Sequence, residues 1–551
     1  MKRILRVLAL FLCVCILTLS STSCVTFLRL SELREEYAEK NTEAPIYSEE
    51  GESPLTFSLT KADADRYATL LEEFRALAMS GEDKAAIEAA EAALEELYYD
   101  ISTQAQIAYL LYCCDMSDET ASENYLFASE MSSKAYGDYT AACRALYESD
   151  SAIRDEFFQD WSEEEISEMQ NYSEEITALT QENDRLLVEY RELSDENFIN
   201  DAPAYFLKLV KNNTRMGSLM GFDSYYEYAH ERTYDRDYGS EELTAMRGYV
   251  KTYIAPYVDD LYLAFDSSYR GMSSFRQRKV YNFLYADYDS AGNYVKTYLS
   301  SLPEDMRARM SGMLKSSGSI FAEGENAYQG AFTAFLYDRE KPFCYFGPEY
   351  QSTNTVVHEM GHYYAACFGS GYRTPMDLAE VQSQANEWLM LASLAGNTDQ
   401  RVLEALQYYL VYDLYVTVVA SMIVDEFEER VYRDGGKTYT TAESLDALMR
   451  DVCLAYGGID FVEEYVTDIQ YYWRIVAVES PVYYVSYATS GVVALEFYLN
   501  AQSDFAAAVE AYAALTERGD HTVAFCEAIG EAGLLGAFCE ETYKRFQQAF
   551  S

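Results

Sequence analysis

His358 and His362 stand four residues apart in Asn354-Thr355-Val356-Val357-His358-Glu359-Met360-Gly361-His362-Tyr363-Tyr364, and the whole chain has only four histidines. The stretch contains no proline and a single glycine, so it predicts a helix. On a helix, residues i and i+4 share a face, which lets both imidazoles reach one ion. Glu359 falls about 100° further round the axis, close enough to take a proton from a water at that ion without being a ligand. Two histidines that hold zinc and a glutamate that acts as base are the working parts of a zinc hydrolase.

Such a site wants three protein ligands and one open position. Past His362 comes a glycine-containing loop, Phe368-Gly369-Ser370-Gly371-Tyr372-Arg373, and then Thr374-Pro375-Met376-Asp377. This reads as a helix start, with Thr374 as N-cap and Pro375 at the first helical position. The helix expected from Pro375 to about Ala395 carries Glu380 and Glu387 seven residues apart, hence on one face. By spacing alone either could complete the ligand set; Asp377, nearer the helix start, reads as a cap. Upstream, Gly330 to Tyr337 and Pro342 to Gly347 read as two short strands around a polar turn. An exposed strand edge beside the zinc helix could hold an extended peptide over the metal. Phe343 and Tyr345 on the second strand, with Tyr372 of the loop, are therefore candidate substrate contacts.

The elements that must position these groups are mostly helical. From 58 to 195, Asp65 to Phe74 and Ala85 to Tyr99 show apolar residues at three- and four-residue spacing. Ser162 reads as an N-cap with acids behind it, leading one long amphipathic helix from Ile166 to Tyr190. A second helical block opens near Asn200. There Ala204 to Met220 ends at Gly221 in a C-cap position, and Ser240 opens a helix running through Tyr253. His230 and His521 lack ligand spacing; the first reads as a surface or packing residue, the second as part of a loop.

A chain of 551 residues with 49% hydrophobic content builds a large globular body. The formal charge of −49 excludes nucleic acid and anionic lipid as partners of that body. The N-terminus is a targeting segment: Lys2, Arg3 and Arg6 precede an apolar run from Val7 to Leu19, then Ser21-Thr22-Ser23-Cys24. Residues 1–23 are expected to be a signal peptide, and the segment resembles a bacterial lipoprotein processing site with Cys24 as the lipidated residue. Residues 24–57, polar and acidic, suit a tether, 58–195 an N-terminal helical domain and 196–551 a catalytic domain. The body would lie outside the cytoplasm, meeting the membrane only through the N-terminal lipid, or secreted if the leader were cleaved without lipidation. Eight cysteines follow Cys24 without any CxxC pair, so buried free thiols are expected.

Three segments carry a resemblance: His358 to His362, Leu378 to Glu387, and Pro481-Val482-Tyr483-Tyr484-Val485-Ser486-Tyr487-Ala488-Thr489-Ser490-Gly491. In order and spacing they resemble the zinc oligopeptidase family that contains thimet oligopeptidase and oligoendopeptidase F, with weaker similarity over about 195 to 545. The resemblance implies a two-lobed, mainly α fold with a small β-sheet beside the zinc helix and a deep channel that admits short peptides. It implies one Zn²⁺ per chain on His358, His362 and Glu380, with Glu387 steadying a ligand histidine. Tyr484 and Tyr487, three apart and so on one side of a helix, could stabilise the charged carbonyl oxygen of the transition state. Tyr483 matches a tyrosine of some members and joins the substrate contacts. One departure matters: a substrate-contacting histidine of the family falls near Val476 here, and Arg474 or a tyrosine is the expected substitute.

The function expected is thus an extracytoplasmic zinc metalloendopeptidase of short peptides. Two alternatives remain: a catalytically weak or inactive peptide-binding lipoprotein of the same fold, and a zinc hydrolase of cell-wall peptides.

Overall fold

The structure, a computed structural model, describes residues 54–550 apart from 82, 160, 287–292, 369–373, 459–461, 464–468 and 518–522. The signal peptide, Cys24, most of the tether, Tyr372 and His521 lie outside the described residues. The end of the expected tether already belongs to the body. Leu55 and Phe57 pack against the core, and Pro54 O accepts from Arg339 Nη1 at 2.8 Å.

Three long helices open the body: α1 (Lys61–Ser80), α2 (Lys84–Cys114) and α3 (Glu119–Tyr147). In α1 the buried residues are Tyr67, Leu71, Phe74 and Ala78, the three- and four-residue rhythm that sequence shows. The single helix expected from Ile166 to Tyr190 is two. Ser162 caps Glu163–Asn171 through a capping box with Glu165, and α4 (Glu174–Arg191) starts afresh. The chain breaks at Tyr172, whose ring is buried edge-on against Tyr136 at 4.5 Å. Arg144 takes the free carbonyls of Met169 and Tyr172 at the broken end. Next comes α5 (Asp195–Leu219), five residues longer at its start than Asn200 would suggest, with Pro203 inside it.

A three-stranded sheet follows: β1 (Ser319–Phe321), β2 (Ala331–Leu336) and β3 (Lys341–Phe346), in the order β1-β3-β2. The expected hairpin is present, with Thr333 opposite Cys344. The parallel partner β1, pairing Ser319 with Cys344, is not legible in so short a run. It changes the reading of the site, because β3 is the central strand and β1 and β2 are the edges. Phe343 and Tyr345 are fully buried, and the Tyr345 hydroxyl bonds the carbonyls of Cys113 and Tyr328 at 2.7 and 3.0 Å. Neither is placed to meet a substrate.

Five helices complete the frame: α6 (Thr353–Ala366), α7 (Met376–Ser393), α8 (Gln400–Asp434), α9 (Ile469–Glu479) and α10 (Val485–Ser503). Helix α7 lies between α6 and α10 and is buried almost all round, its polar residues included. Buried polar groups need partners, and α7 finds them on its neighbours. Gln384 Nε2 donates to Ser490 Oγ at 2.8 Å, and Asn386 Nδ2 to Val357 O at 2.6 Å. Glycines let the helices close on it: a Cβ at Gly361 would lie 2.4 Å from Gln382 O, and one at Gly491 2.9 Å from Gln384 Oε1.

Part of the large tyrosine content has a use here. Rings of Tyr67, Tyr190, Tyr234, Tyr472 and Tyr512 are buried while their hydroxyls donate to backbone carbonyls of distant segments. A buried phenol thus supplies apolar area and satisfies a carbonyl at once. The eight cysteines are free, though Cys526 is exposed and Cys114, Cys367 and Cys539 are half-buried. His230 is buried, its ring tilted against that of Tyr226 at 4.5 Å, a packing residue rather than a surface one. No helix among the described residues is long and apolar enough to cross a membrane.

Candidate metal centre

Helix α6 begins where Ser352 Oγ accepts from Thr355 N at 3.2 Å, and it brings His358 and His362 to one face. Their rings stand 5.1 Å apart and nearly perpendicular. Glu380, on the second turn of α7, turns its Oε2 toward both: 3.5 Å from His358 Nε2 and 3.8 Å from His362 Nε2. The three side chains offer ligand atoms within 4.8 Å of one another, the one such group of His, Cys, Asp or Glu among the described residues. Glu380 and Glu387, left open by spacing, are separated by geometry. Glu387 Oε1 lies 2.6 Å from His358 Nδ1, so it grips the ring from behind and leaves Nε2 to face Glu380. Asn354, one turn before His358, holds the other oxygen of Glu387.

These residues fit a divalent cation. Among the described residues no arginine or lysine forms an ion pair with Glu359, Glu380 or Glu387, so three carboxylates share the site without a fixed cation. His358 Nε2 and Glu359 Oε1 are buried with no hydrogen-bond partner among the described residues, a cost that a bound partner would offset. Two imidazole nitrogens and a carboxylate are a donor set suited to zinc. Burial opposes a charged His358, but Glu380 and Glu387 outweigh it and hold its pKa well above the ordinary value. For His362 burial wins against Glu380 and Glu359 and lowers it. Burial would raise Glu380, yet His358, His362 and Tyr483 leave it below the usual carboxylate range.

Glu359 faces the sheet. Thr333 of β2 donates to Glu359 Oε2 at 2.8 Å, and Oε1 is the oxygen without a partner among the described residues. On the far side, the Tyr483 hydroxyl bonds Glu380 Oε1 directly, and the hydroxyls of Tyr483 and Tyr487 are 3.1 Å apart. Tyr484 follows in the same cluster, its ring 5.8 Å from that of Tyr487. Burial, reinforced by Glu380, raises Tyr483 well above an ordinary phenol; burial and then Tyr483 do the same for Tyr487. Both therefore remain O–H donors. Tyr483, a candidate substrate contact from sequence, is the one that reaches Glu380.

Two expectations are overturned. Arg474 does not substitute for the absent histidine: its Nε donates to Ile199 O, Nη1 to Asp446 Oδ1 and Gln470 O, and Nη2 to Asp446 Oδ2. Buried between α5, α9 and Asp446, the guanidinium has a structural pairing instead. Asp377 is not a cap either. Helix α7 starts one residue later than expected, with Pro375 at the cap position, and Asp377 bonds Arg236, Tyr238 and Thr489 across the core.

Sequence reading misses Thr333, Asn354, Asn386 and Arg236. Asn354 could be found, since it lies four residues before His358 on the same helical face. Thr333 has only strand alternation to mark it. Nothing local points to Arg236, which lies 141 residues from Asp377.

No protein-family model matches the sequence, and no curated protein matches it. Solved structures of the same architecture do exist. A Bacillus anthracis protein provisionally named oligoendopeptidase F superposes with a TM-score of 0.68 at 17% identity, over 93% of this chain and 98% of that one. A PZ peptidase A with inhibitor gives 0.68 at 16% identity, over 90% and 98%. An oligoendopeptidase-F from Enterococcus faecium gives 0.54 at 16%, over 89% and 98%. What this chain shares with them is the fold: a mainly helical body with a small three-stranded sheet, of the oligoendopeptidase F type.

Proposed function

We propose that this chain is a zinc-dependent metalloendopeptidase of the oligopeptidase kind, cutting internal bonds of short peptides. The observation that carries the reading is the convergence of His358, His362 and Glu380 on one point beside an unpartnered oxygen of Glu359. One zinc ion held by those three side chains would polarise the scissile carbonyl and make a water acidic enough to attack at neutral pH. The remaining work falls to the chain's own residues. Glu359 Oε1 takes the proton of the attacking water and returns it to the leaving nitrogen. Thr333 keeps the carboxylate turned for that task, and Glu387 keeps His358 in the tautomer whose Nε2 faces the ion.

The hydroxyls of Tyr484 and Tyr487 would supply hydrogen bonds to the carbonyl oxygen as it gains charge, while Tyr483, whose one O–H goes to Glu380, steadies that carboxylate. Removing a donor of this type costs about 10²- to 10³-fold in rate. Since β3 is central, the peptide backbone would extend along the β2 edge, whose Thr333 already touches Glu359. Placement of the site among buried helices favours chains thin enough to enter a channel between two lobes. The leader-like residues 1–23 and Cys24 support an extracytoplasmic body anchored by lipid.

The absent histidine near Val476, together with the engaged Arg474, favours a second reading in which hydrolysis is feeble and peptide capture is the function. Turnover of an internally quenched peptide, with one zinc per chain by metal analysis, separates the two. Endopeptidase activity that vanishes in Glu359→Gln while zinc stays bound supports the first. Tight peptide binding with no cleavage by the zinc-loaded wild type supports the second.

A further inference from the structure

The bonds that hold the tyrosine turn meet at one residue that no motif marks. Arg236 follows a five-residue π-helical turn, Ala229–Thr233, and Asp235 before it has φ +51°. That tight bend sends the Arg236 side chain inward, where it is fully buried. Its Nε donates to Asp377 Oδ2 at 3.2 Å and its Nη1 to Val482 O at 2.8 Å. Nη2 donates to Tyr483 O at 3.2 Å and to Ser486 Oγ at 2.8 Å. Tyr234, with the guanidinium 4.4 Å above its ring, donates to Pro481 O at 2.7 Å. The carbonyl of the same Tyr234 accepts from Met376 N, the first residue of α7, at 3.1 Å. One three-residue segment therefore grips the first turn of the ligand helix and each carbonyl from Pro481 to Tyr483.

The turn needs that grip. Val482 has φ +64°, a left-handed conformation that a β-branched residue adopts only under constraint. Glu428 Oε1 holds its N–H at 3.0 Å from one side while Arg236 holds its C=O from the other. Backbone strain kept in place by distant bonds is a mark of a site whose geometry matters. Here the geometry it produces is the aim of the Tyr483 hydroxyl at Glu380 and the approach of Tyr487 to Tyr483.

We propose that Arg236 is the positioning residue of the tyrosine side: by bonding the turn and the ligand helix with one rigid fork, it sets where the Tyr483 and Tyr487 hydroxyls stand relative to Glu380. The inference rests on the proposed part of those hydroxyls in peptide hydrolysis. Arg236 itself touches neither a metal ligand nor the place of the substrate. Arginine suits the task because its donors lie in one plane at fixed angles, whereas a lysine offers a single nitrogen.

Arg236→Lys keeps a positive charge against Asp377 but cannot serve four acceptors. Its kcat on a quenched peptide should fall by about 10- to 100-fold, with KM and zinc content unchanged. Ser486→Ala, which leaves Asp377 paired, should lower kcat by a smaller factor and serves if the lysine variant does not fold. The deciding measurement repeats both substitutions in a Tyr483→Phe background. If Arg236 works through the tyrosines, each then costs at most about a third of its factor in the wild type. Equal factors in the two backgrounds, loss of zinc, or a rise in KM at constant kcat would overturn the inference. If Tyr483→Phe and Tyr487→Phe are each as active as wild type, the tyrosine role falls first and this inference with it.

Discussion

The supports of the candidate metal ligands and the supports of the tyrosine turn come from different distances along the chain. His358 is held by Glu387 from 29 residues away, Val357 O by Asn386 from 29, and Glu359 by Thr333 from 26. Val482, Tyr483 and Ser486 are held by Arg236 across 246, 247 and 250 residues, and Val482 N by Glu428 across 54. Apart from Tyr483, which reaches Glu380 from 103 residues away, the metal side is thus built by packing a few neighbouring elements in sequence. The tyrosine side is a strained turn kept in shape by groups that arrive only when the whole body has closed. Damage to the first should appear in metal binding and stability, and damage to the second in turnover.

Losing a ligand should have the largest effect. Glu380→Ala should weaken zinc binding by well over the about 10- to 100-fold that an outer partner costs, as read by competition with a chromophoric chelator. Stoichiometric zinc after chelator dialysis would contradict the assignment. Glu387→Gln comes next, at about 10- to 100-fold, because His358 keeps its ligand nitrogen but loses the carboxylate that orients it. If that variant held zinc as tightly as wild type, the metal side would not depend on its near neighbours.

Gly361→Ala sharpens the contrast through packing. The added carbon meets Gln382 O at 2.4 Å, and overpacking of this kind costs about 1–3 kcal/mol. The Tm should fall, and zinc affinity with it, since the displaced part of α7 is two residues from Glu380. Val482→Gly probes the other side. It releases backbone strain of about 1–3 kcal/mol, but the freer unfolded chain costs about 0.4–1 kcal/mol and losing the buried Val482 side chain about 1.5–3 kcal/mol. A modestly lower Tm, intact zinc and lower kcat is the expected combination. A drop in zinc affinity would mean the two sides are not separable.

The smallest effect concerns Glu428. Burial, with Asp425 adding to it and the Val482 N–H and Arg236 opposing, raises its pKa well above the ordinary carboxylate value. A raised folded pKa contributes stability that is complete below the unfolded value of about 4.3 and is lost as pH rises through the folded value. Glu428→Gln does not ionise, so its Tm should match wild type near pH 4 and exceed it increasingly at higher pH. A constant difference across that range would show that Glu428 does not titrate in the folded protein.

The two sides also differ in how far sequence reveals them. His358, Glu359 and His362 are legible because helical geometry alone brings i and i+4 together, and Glu380 and Glu387 because a seven-residue spacing places both on one face. The choice between those glutamates needed the resemblance, and the coordinates then show Glu387 behind the ring and Glu380 before it. Phe343 and Tyr345 were misplaced because a three-residue strand, Ser319–Phe321, carries no pattern and yet turns an edge into a centre. Arg474 was misplaced because nearness in sequence to Val476 says nothing of where a guanidinium finds Asp446.

Helix periodicity, capping residues and the His-Glu-His spacing are properties of a few consecutive residues, so the chain's order by itself determined the helical class and the pair of imidazoles. Which strand is central, which tyrosine reaches a ligand, and how Arg236 joins a turn to a helix depend on contacts between segments hundreds of residues apart. Many arrangements satisfy the local rules equally well, and only close packing with every buried polar group matched selects one.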